Sequence, residues 1–322
     1  LAAAAGLLAL HSLRRTGRLP YCILFFFLGI FCFLSAGLRP SPAEPGPVGR
    51  LAARALSGLR DLIGSIPFQH SDSHSLVAAL LTGDRSGLTA AQTASFRASG
   101  ASHILALSGL HLGVIYLIIS RLLSVLGNSI PARRVRSVLT ILLAGCYTLA
   151  TGAGPSIVRA FLFILIRETC ALFPERRISP VRTLLMALTI QLAVQPQVIT
   201  SLGFQLSYLA MTGIVVLYPR LEAWYPADGP RFQPLRRVWQ AAALAVSCQV
   251  FTAPLTWIRF HSFPKYFILT NLLALPLTSA LMATSVAAIT LQALGTCPSF
   301  LASAADFLAS SLLFILDVIS SL

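Results

Sequence analysis

The residues with the most chemical potential lie together in one apolar stretch, Ser102-His103-Ile104-Leu105-Ala106-Leu107-Ser108-Gly109-Leu110-His111-Leu112-Gly113. Its histidines and serines could supply a metal site, a nucleophile with its base, or a polar lining. His103 and His111 stand eight residues apart, about 12 Å along a helix, too far to share one metal ion without a break. Ser108 in Ala-Leu-Ser-Gly suggests a serine hydrolase within a membrane. That chemistry needs a base from another helix, and His261 falls far downstream in an expected exterior turn. A second pattern, His70-Ser71-Asp72-Ser73-His74, alternates metal-ligating types as a strand would present them on one face. It reads as polar loop with no further ligand cluster, so neither a metal nor a cofactor is expected. Polar lining is what remains for residues 102–113, because such groups are costly in hydrocarbon unless they face protein or water.

Three further stretches combine polar residues with helix breakers. Gly152-Ala153-Gly154-Pro155-Ser156-Ile157-Val158-Arg159-Ala160 opens a helix that carries Arg159 in its first turns. Gly203-Phe204-Gln205-Leu206-Ser207-Tyr208 is the next, and Ala253-Pro254 with Asn271 through Pro276 is the last. Broken helices at membrane depth expose backbone donors and acceptors, which proteins tolerate mainly around a cavity or substrate. Arg159 has two readings, snorkelling to water at a membrane end or facing an interior anion. Glu168, nine residues on, is off its face of a straight helix. Asp306 and Asp317 share a face of the last helix and read as interfacial, with a proton relay as the sharper alternative.

The elements that must position these groups are membrane helices. Apolar residues make up 56% of the 322 and charged residues 11%, against about 25% in soluble domains. The mean hydropathy is +0.79. The expected fold is all-α: a polytopic integral membrane bundle of about 8–10 transmembrane segments, several of them broken. Residues 1–38 read as an N-terminal transmembrane hairpin clipped at its start. Residues 39–74 read as a Pro-rich linker and an amphipathic helix in the membrane interface, with Leu51, Ala55, Leu59, Leu62 and Ile66 at helical spacing. Residues 75–322 form the main transmembrane unit. It opens with a soluble-looking part that includes a turn at Gly83-Asp84-Arg85-Ser86-Gly87 and a short helix over Ala90–Ala98 capped by Thr89. Further spans are expected near 101–126, 137–152, 155–173, 182–199, 203–218, 238–258, 266–292 and 300–321.

The net charge is +14, with Lys265 the one lysine. Arginines gather at 127–136, 174–181 and 219–237, whereas the short turns near 153 and 200 have none. That alternation is what cytoplasmic retention of basic loops produces, and it puts 39–100 outside. An anionic cargo is a compatible second cause. The six cysteines are scattered through apolar runs and form no Cys-x-x-Cys pair.

At these residues the sequence resembles the ComEC family, competence channels that pass single-stranded DNA through the bacterial cytoplasmic membrane. The matching stretches, in the family's order, are Thr82 to Leu88, Ser102 to Gly113 with Leu-Ser-Gly-Leu-His at its core, Gly154 to Ala160, Gly203 to Ser207, Ala253-Pro254-Leu255 and Asn271 to Pro276. The resemblance covers roughly residues 75–290. It implies a non-enzymatic channel for natural transformation, with single-stranded DNA and the lipid bilayer as partners. It further implies a separate DNA receptor, a separate cytoplasmic ATP-driven motor and self-association. Channel-lining candidates are His103, Ser108, Gly109, His111, Gly154, Pro155, Arg159, Gln205, Ser207, Asn271 and Pro276. Phe204 and Tyr208 are candidates to stack bases. The His-x-His-x-Asp-His signature of the nuclease-like domain that many members carry is not found, so strand degradation is not expected of these residues. A secondary transporter of a small polar or anionic solute is the alternative, and an intramembrane hydrolase the third reading.

Overall fold

A computed structural model describes residues 29, 47–127, 129–172, 178–225, 234–261 and 263–322. Apart from residue 29, the expected N-terminal hairpin lies outside them, as do residues 39–46 of the Pro-rich run and Arg176, Arg177 and Arg231 of the basic loops. The described residues form helices and no strand: α1 (Pro47–Gly64), α2 (Ser71–Thr82), α3 (Ala90–Ala98), α4 (Ser102–Leu105), α5 (Gly109–Leu123), α6 (Ile130–Ala150), α7 (Pro155–Ala171), α8 (Pro180–Val194), α9 (Leu202–Val216), α10 (Tyr218–Glu222), α11 (Pro234–Phe260), α12 (Phe267–Ala293) and α13 (Ser299–Ser320). Short 3-10 turns follow α5 and α8.

The burial pattern is that of a membrane bundle. Phe307, Phe314, Ile258 and Leu142 point outward, Phe307 at 72% exposure, while Thr140, Thr148, Ser247 and Thr278 are buried. Thr148, Ser247 and Thr278 return their hydroxyls to carbonyls four residues back, so each is satisfied inside its own helix. Small residues then let backbones approach: a Cβ on Gly213 of α9 would overlap the Ser247 carbonyl of α11. Residues Gly109–Leu126, α11, α12 and α13 are long and apolar enough to cross a bilayer. By contrast α8 and α9, at 15 residues each, span only about 22 Å.

Helix polarity positions the site. Gly109 lies against Ala160 and Tyr116 against Glu168, so α5 and α7 advance together. Ser156 meets Gly203 and Arg159 meets Ser207, so α9 runs parallel to them as well. The starts of α5, α7 and α9 therefore lie toward the same end of the bundle.

Three sequence expectations need correction. Residues 71–82, read as part of a polar loop, form α2, and its Leu76, Leu80 and Leu81 are fully buried with Leu281, Met282 and Leu312. Its polar first turn hid the apolar run Leu76–Leu81, which α12 and α13 cover. His70 and His74 diverge, His70 lying 3.9 Å from Asp306 and His74 packing edge-on to Phe68. Pro254 and Pro276 sit inside continuous helices rather than breaks, as membrane helices packed among neighbours tolerate. Asp306, expected at an interface, is buried and accepts from the Gln69 amide at 2.7 Å. The capping box of Thr89 with Gln92 starts α3 where the sequence places it.

Candidate functional site

The chain breaks between α4 and α5, and the sequence around it explains how. Ala106 is extended, and Ser108 takes the N-cap of α5 with its Oγ accepting from the Leu110 amide at 3.2 Å. Three residues on, where a capping box usually has Glu or Gln, stands His111. The Ser108 amide donates to His111 Nδ1 at 3.1 Å, and Ser108 Oγ lies 3.0 Å from the same nitrogen. A backbone N–H only donates, so Nδ1 is the unprotonated nitrogen and a neutral ring carries its proton on Nε2. That Nε2 is buried without a partner.

The turn at 83–87 clamps this break. Gly83 has φ +78°, and a Cβ there would lie 2.7 Å from Leu107 Cδ1, so only glycine lets Leu107 sit on the turn. Arg85 Nε donates to the Leu105 carbonyl at 3.1 Å, holding the last residue of α4. Asp84 accepts from the Ser86 amide at 3.1 Å and pairs with Arg60 at 3.1 Å. Hydrogen bonds from Ser86 first, and then Arg60, hold the Asp84 carboxyl below the usual carboxylate range.

Arg159 sits one turn into α7, after the Gly154 cap and Pro155 at the first position, where the missing N–H of proline costs nothing. Its side chain is buried at 8% exposure, which settles its two readings in favour of the interior. One terminal nitrogen donates to the Ser207 carbonyl of α9. The other lies 2.9 Å from where a Gly109 Cβ would be. Its Nε has no partner, and no carboxylate among the described residues pairs with it. Glu168 is engaged elsewhere, accepting from Tyr116 Oη at 2.6 Å and Ser137 Oγ at 2.7 Å.

A polar seam ties α7, α8 and α9 around this point. Gln191 of α8 donates to the Pro155 carbonyl at 3.0 Å and accepts from Tyr208 Oη at 2.9 Å. Ser156 Oγ donates to the Gly203 carbonyl at 3.1 Å. Gln205 donates to the Ile199 carbonyl at 2.8 Å, closing the turn before α9.

The structure thus brings Ser108, Gly109, His111, Arg159 and Ser207 together, with Gly154, Pro155 and Gln205 shaping the helix starts beside them. His103 lies near enough to His111 to act on it electrostatically, and its own Nδ1 is 3.1 Å from the Gly100 carbonyl. Asn271 lies on α12 with its buried Oδ1 unpartnered, and Pro276 is in the body of the same helix. Phe204 and Tyr208 are buried against each other at 4.6 Å between ring centres, packed with Leu184 and Val198. They are core, not a free stacking platform. Arg85 and Gln191 are not among the candidates expected from sequence. Arg85 stands in the turn at Gly83–Gly87, whereas nothing in the periodicity marks Gln191.

Chemically, parallel helix starts place unsatisfied N–H groups and the positive ends of their dipoles toward one end of the bundle. A buried guanidinium with no counter-carboxylate and an unpartnered imidazole donor add to that field. Such a constellation suits an anion.

This is a polytopic α-helical membrane protein with a cationic polar site between broken helices. The chain belongs to the competence protein family, which matches residues 80–322. ComE operon protein 3 of Bacillus subtilis (strain 168) is 25% identical over 206 residues, 64% of this chain and 25% of that protein. The chain spans about a quarter of the length of this curated relative. No solved structure matches it.

Proposed function

We propose that this chain serves DNA uptake in bacterial natural transformation by passing single-stranded DNA across the cytoplasmic membrane, as a channel and not as an enzyme. Family membership supports the uptake role. The observation that carries the finer reading is the buried Arg159 guanidinium, uncompensated by any carboxylate among the described residues, at the packed starts of α5 and α7. A phosphodiester brings one negative charge per nucleotide, and a strand moving past this point exchanges one phosphate for the next. A DNA receptor, an ATP-driven motor and self-association belong to the same proposal, since a channel needs delivery and pulling.

A second reading, transport of a small anionic solute, draws on the same helix starts, because half-helix N-termini are how broken-helix transporters hold carboxylates. The hydrolase reading draws on the Ser108–His111 contact. Against it, Ser108 Oγ already accepts from the α5 backbone, and no third group orients the ring through Nε2. Deleting the gene separates these. The channel reading expects surface binding of labelled DNA to persist while internalised strand and transformants disappear. Unchanged transformation would overturn it.

A further inference from the structure

At the opposite end of α5 and α7 from Arg159, a cavity of about 360 Å³ opens between α5, α6 and α7. Arg121, Arg133, Arg136 and Arg167 line it, with Tyr116 and Glu168. None of the four arginines forms an ion pair with a carboxylate among the described residues. Glu168 has both oxygens occupied by hydroxyl donors, and Arg167 lies over the Tyr116 ring at 5.5 Å. Among the described residues, four guanidiniums thus face one cavity with a single carboxylate, Glu168. Retention of basic loops explains arginines on this side of the membrane but not their convergence, since Arg136 and Arg167 stand on helix bodies.

Like charges held around one concavity repel unless an anion shares it, and guanidinium forks match phosphate oxygens. On α5 the exposed residues Gly113, Leu117 and Arg121 follow at four-residue spacing, a stripe leading from the apolar belt to the cavity rim. A Cβ on Gly113 would meet nothing within 4 Å, so this face of α5 is open on the outside of the bundle. A ligand with a phosphate head and apolar tails fits that continuity. A nucleic-acid strand, which must stay out of hydrocarbon, does not. We propose that this cavity binds the phosphate headgroup of an anionic phospholipid from the cytoplasmic leaflet, with an acyl chain along Leu117. The inference rests on the membrane fold and not on the DNA path.

The test is thermal unfolding of the full chain in detergent, titrated with phosphatidylglycerol or phosphatidylcholine, with and without a thymidine oligonucleotide. Phosphatidylglycerol should raise Tm and phosphatidylcholine should not. Arg133→Gln with Arg136→Gln should weaken the apparent phosphatidylglycerol affinity about tenfold or more. Arg134→Gln, adjacent but outside the cavity, should leave it unchanged. If the double variant fails to fold, Arg121→Gln at the exposed end of α5 serves in its place. Equal shifts from both lipids, or an equal loss in Arg134→Gln, would overturn the proposal. So would displacement of the lipid by the oligonucleotide, which would make the cavity part of a strand route.

Discussion

Gly109 and Arg159 occupy one volume: the guanidinium of Arg159 sits where any side chain at Gly109 would have to go, 2.9 Å from its Cβ position. Gly109 is the first residue of α5, so a buried cation lies against a helix start, the end at which positive charge is least welcome. A hydrogen bond to the Ser207 carbonyl and the packing of α5, α7 and α9 hold it there. The pair makes a site that gains from any anion entering it.

Gly109→Ala should displace the guanidinium tip from its position against the start of α5, with little cost to overall stability. Transformation frequency is expected to fall about tenfold, which corresponds to roughly 1.4 kcal/mol at the affected step. Counting transformants beside an immunoblot checks this, and normal frequency at normal protein level would show that Arg159 has room to spare.

Ser108 and His111 divide the channel reading from the hydrolase reading. Asn caps helices as well as Ser, so Ser108→Asn keeps the cap without a nucleophilic hydroxyl. Transformation should survive in Ser108→Asn, whereas Ser108→Ala should lower stability by about 0.5–2 kcal/mol. A hydrolase would lose all function in both. His111→Gln restores the usual capping-box residue, so it should keep wild-type stability and reduce transformation by moving the donor away from the imidazole Nε2 position.

Arg85→Ala should release the Leu105 carbonyl and loosen the break, at about 1.5–3 kcal/mol for a hydrogen bond from a charged donor. Native-state hydrogen exchange at residues 105–111 would report the loosening. In the same turn, the lowered Asp84 carboxyl gives a pH signature. Its contribution is in place above the usual carboxylate range and fades as pH falls through the lowered folded value. Asp84→Asn should remove that acid-side dependence.

Much of this site was legible because breakers and polar residues are rare inside apolar runs. Gly154-Pro155, Ser108 and Arg159 could be picked out by their cost in hydrocarbon alone, and the helices Pro155–Ala171 and Ser299–Ser320 begin and end within a few residues of expectation. What stayed hidden depends on partners far along the chain. Ser71–Thr82 looked polar because its first five residues are, while the apolar run Leu76–Leu81 is buried by α12 and α13 some 200 residues away. Pro254 and Pro276 looked like breaks because local chemistry says so, yet packing overrides it. The bridge from Gln191 to Pro155 and Tyr208 joins three helices and leaves no trace in periodicity.

Gly213→Ala serves as a structural control away from Arg159. Its Cβ would meet the Ser247 backbone, which cannot move aside, so unfolding in detergent should occur at lower temperature with a cost of about 1–3 kcal/mol or more. Protein level and transformation should fall together, unlike the variants at the anion site.

The most direct test is internalisation of labelled DNA by cells expressing Arg159→Gln. Nuclease-resistant label inside the cell should drop about tenfold or more, with surface-bound DNA and membrane protein level unchanged, and Arg159→Lys should retain part of the activity by keeping the charge. Wild-type internalisation by Arg159→Gln, or a loss matched by loss of the protein itself, would contradict the account.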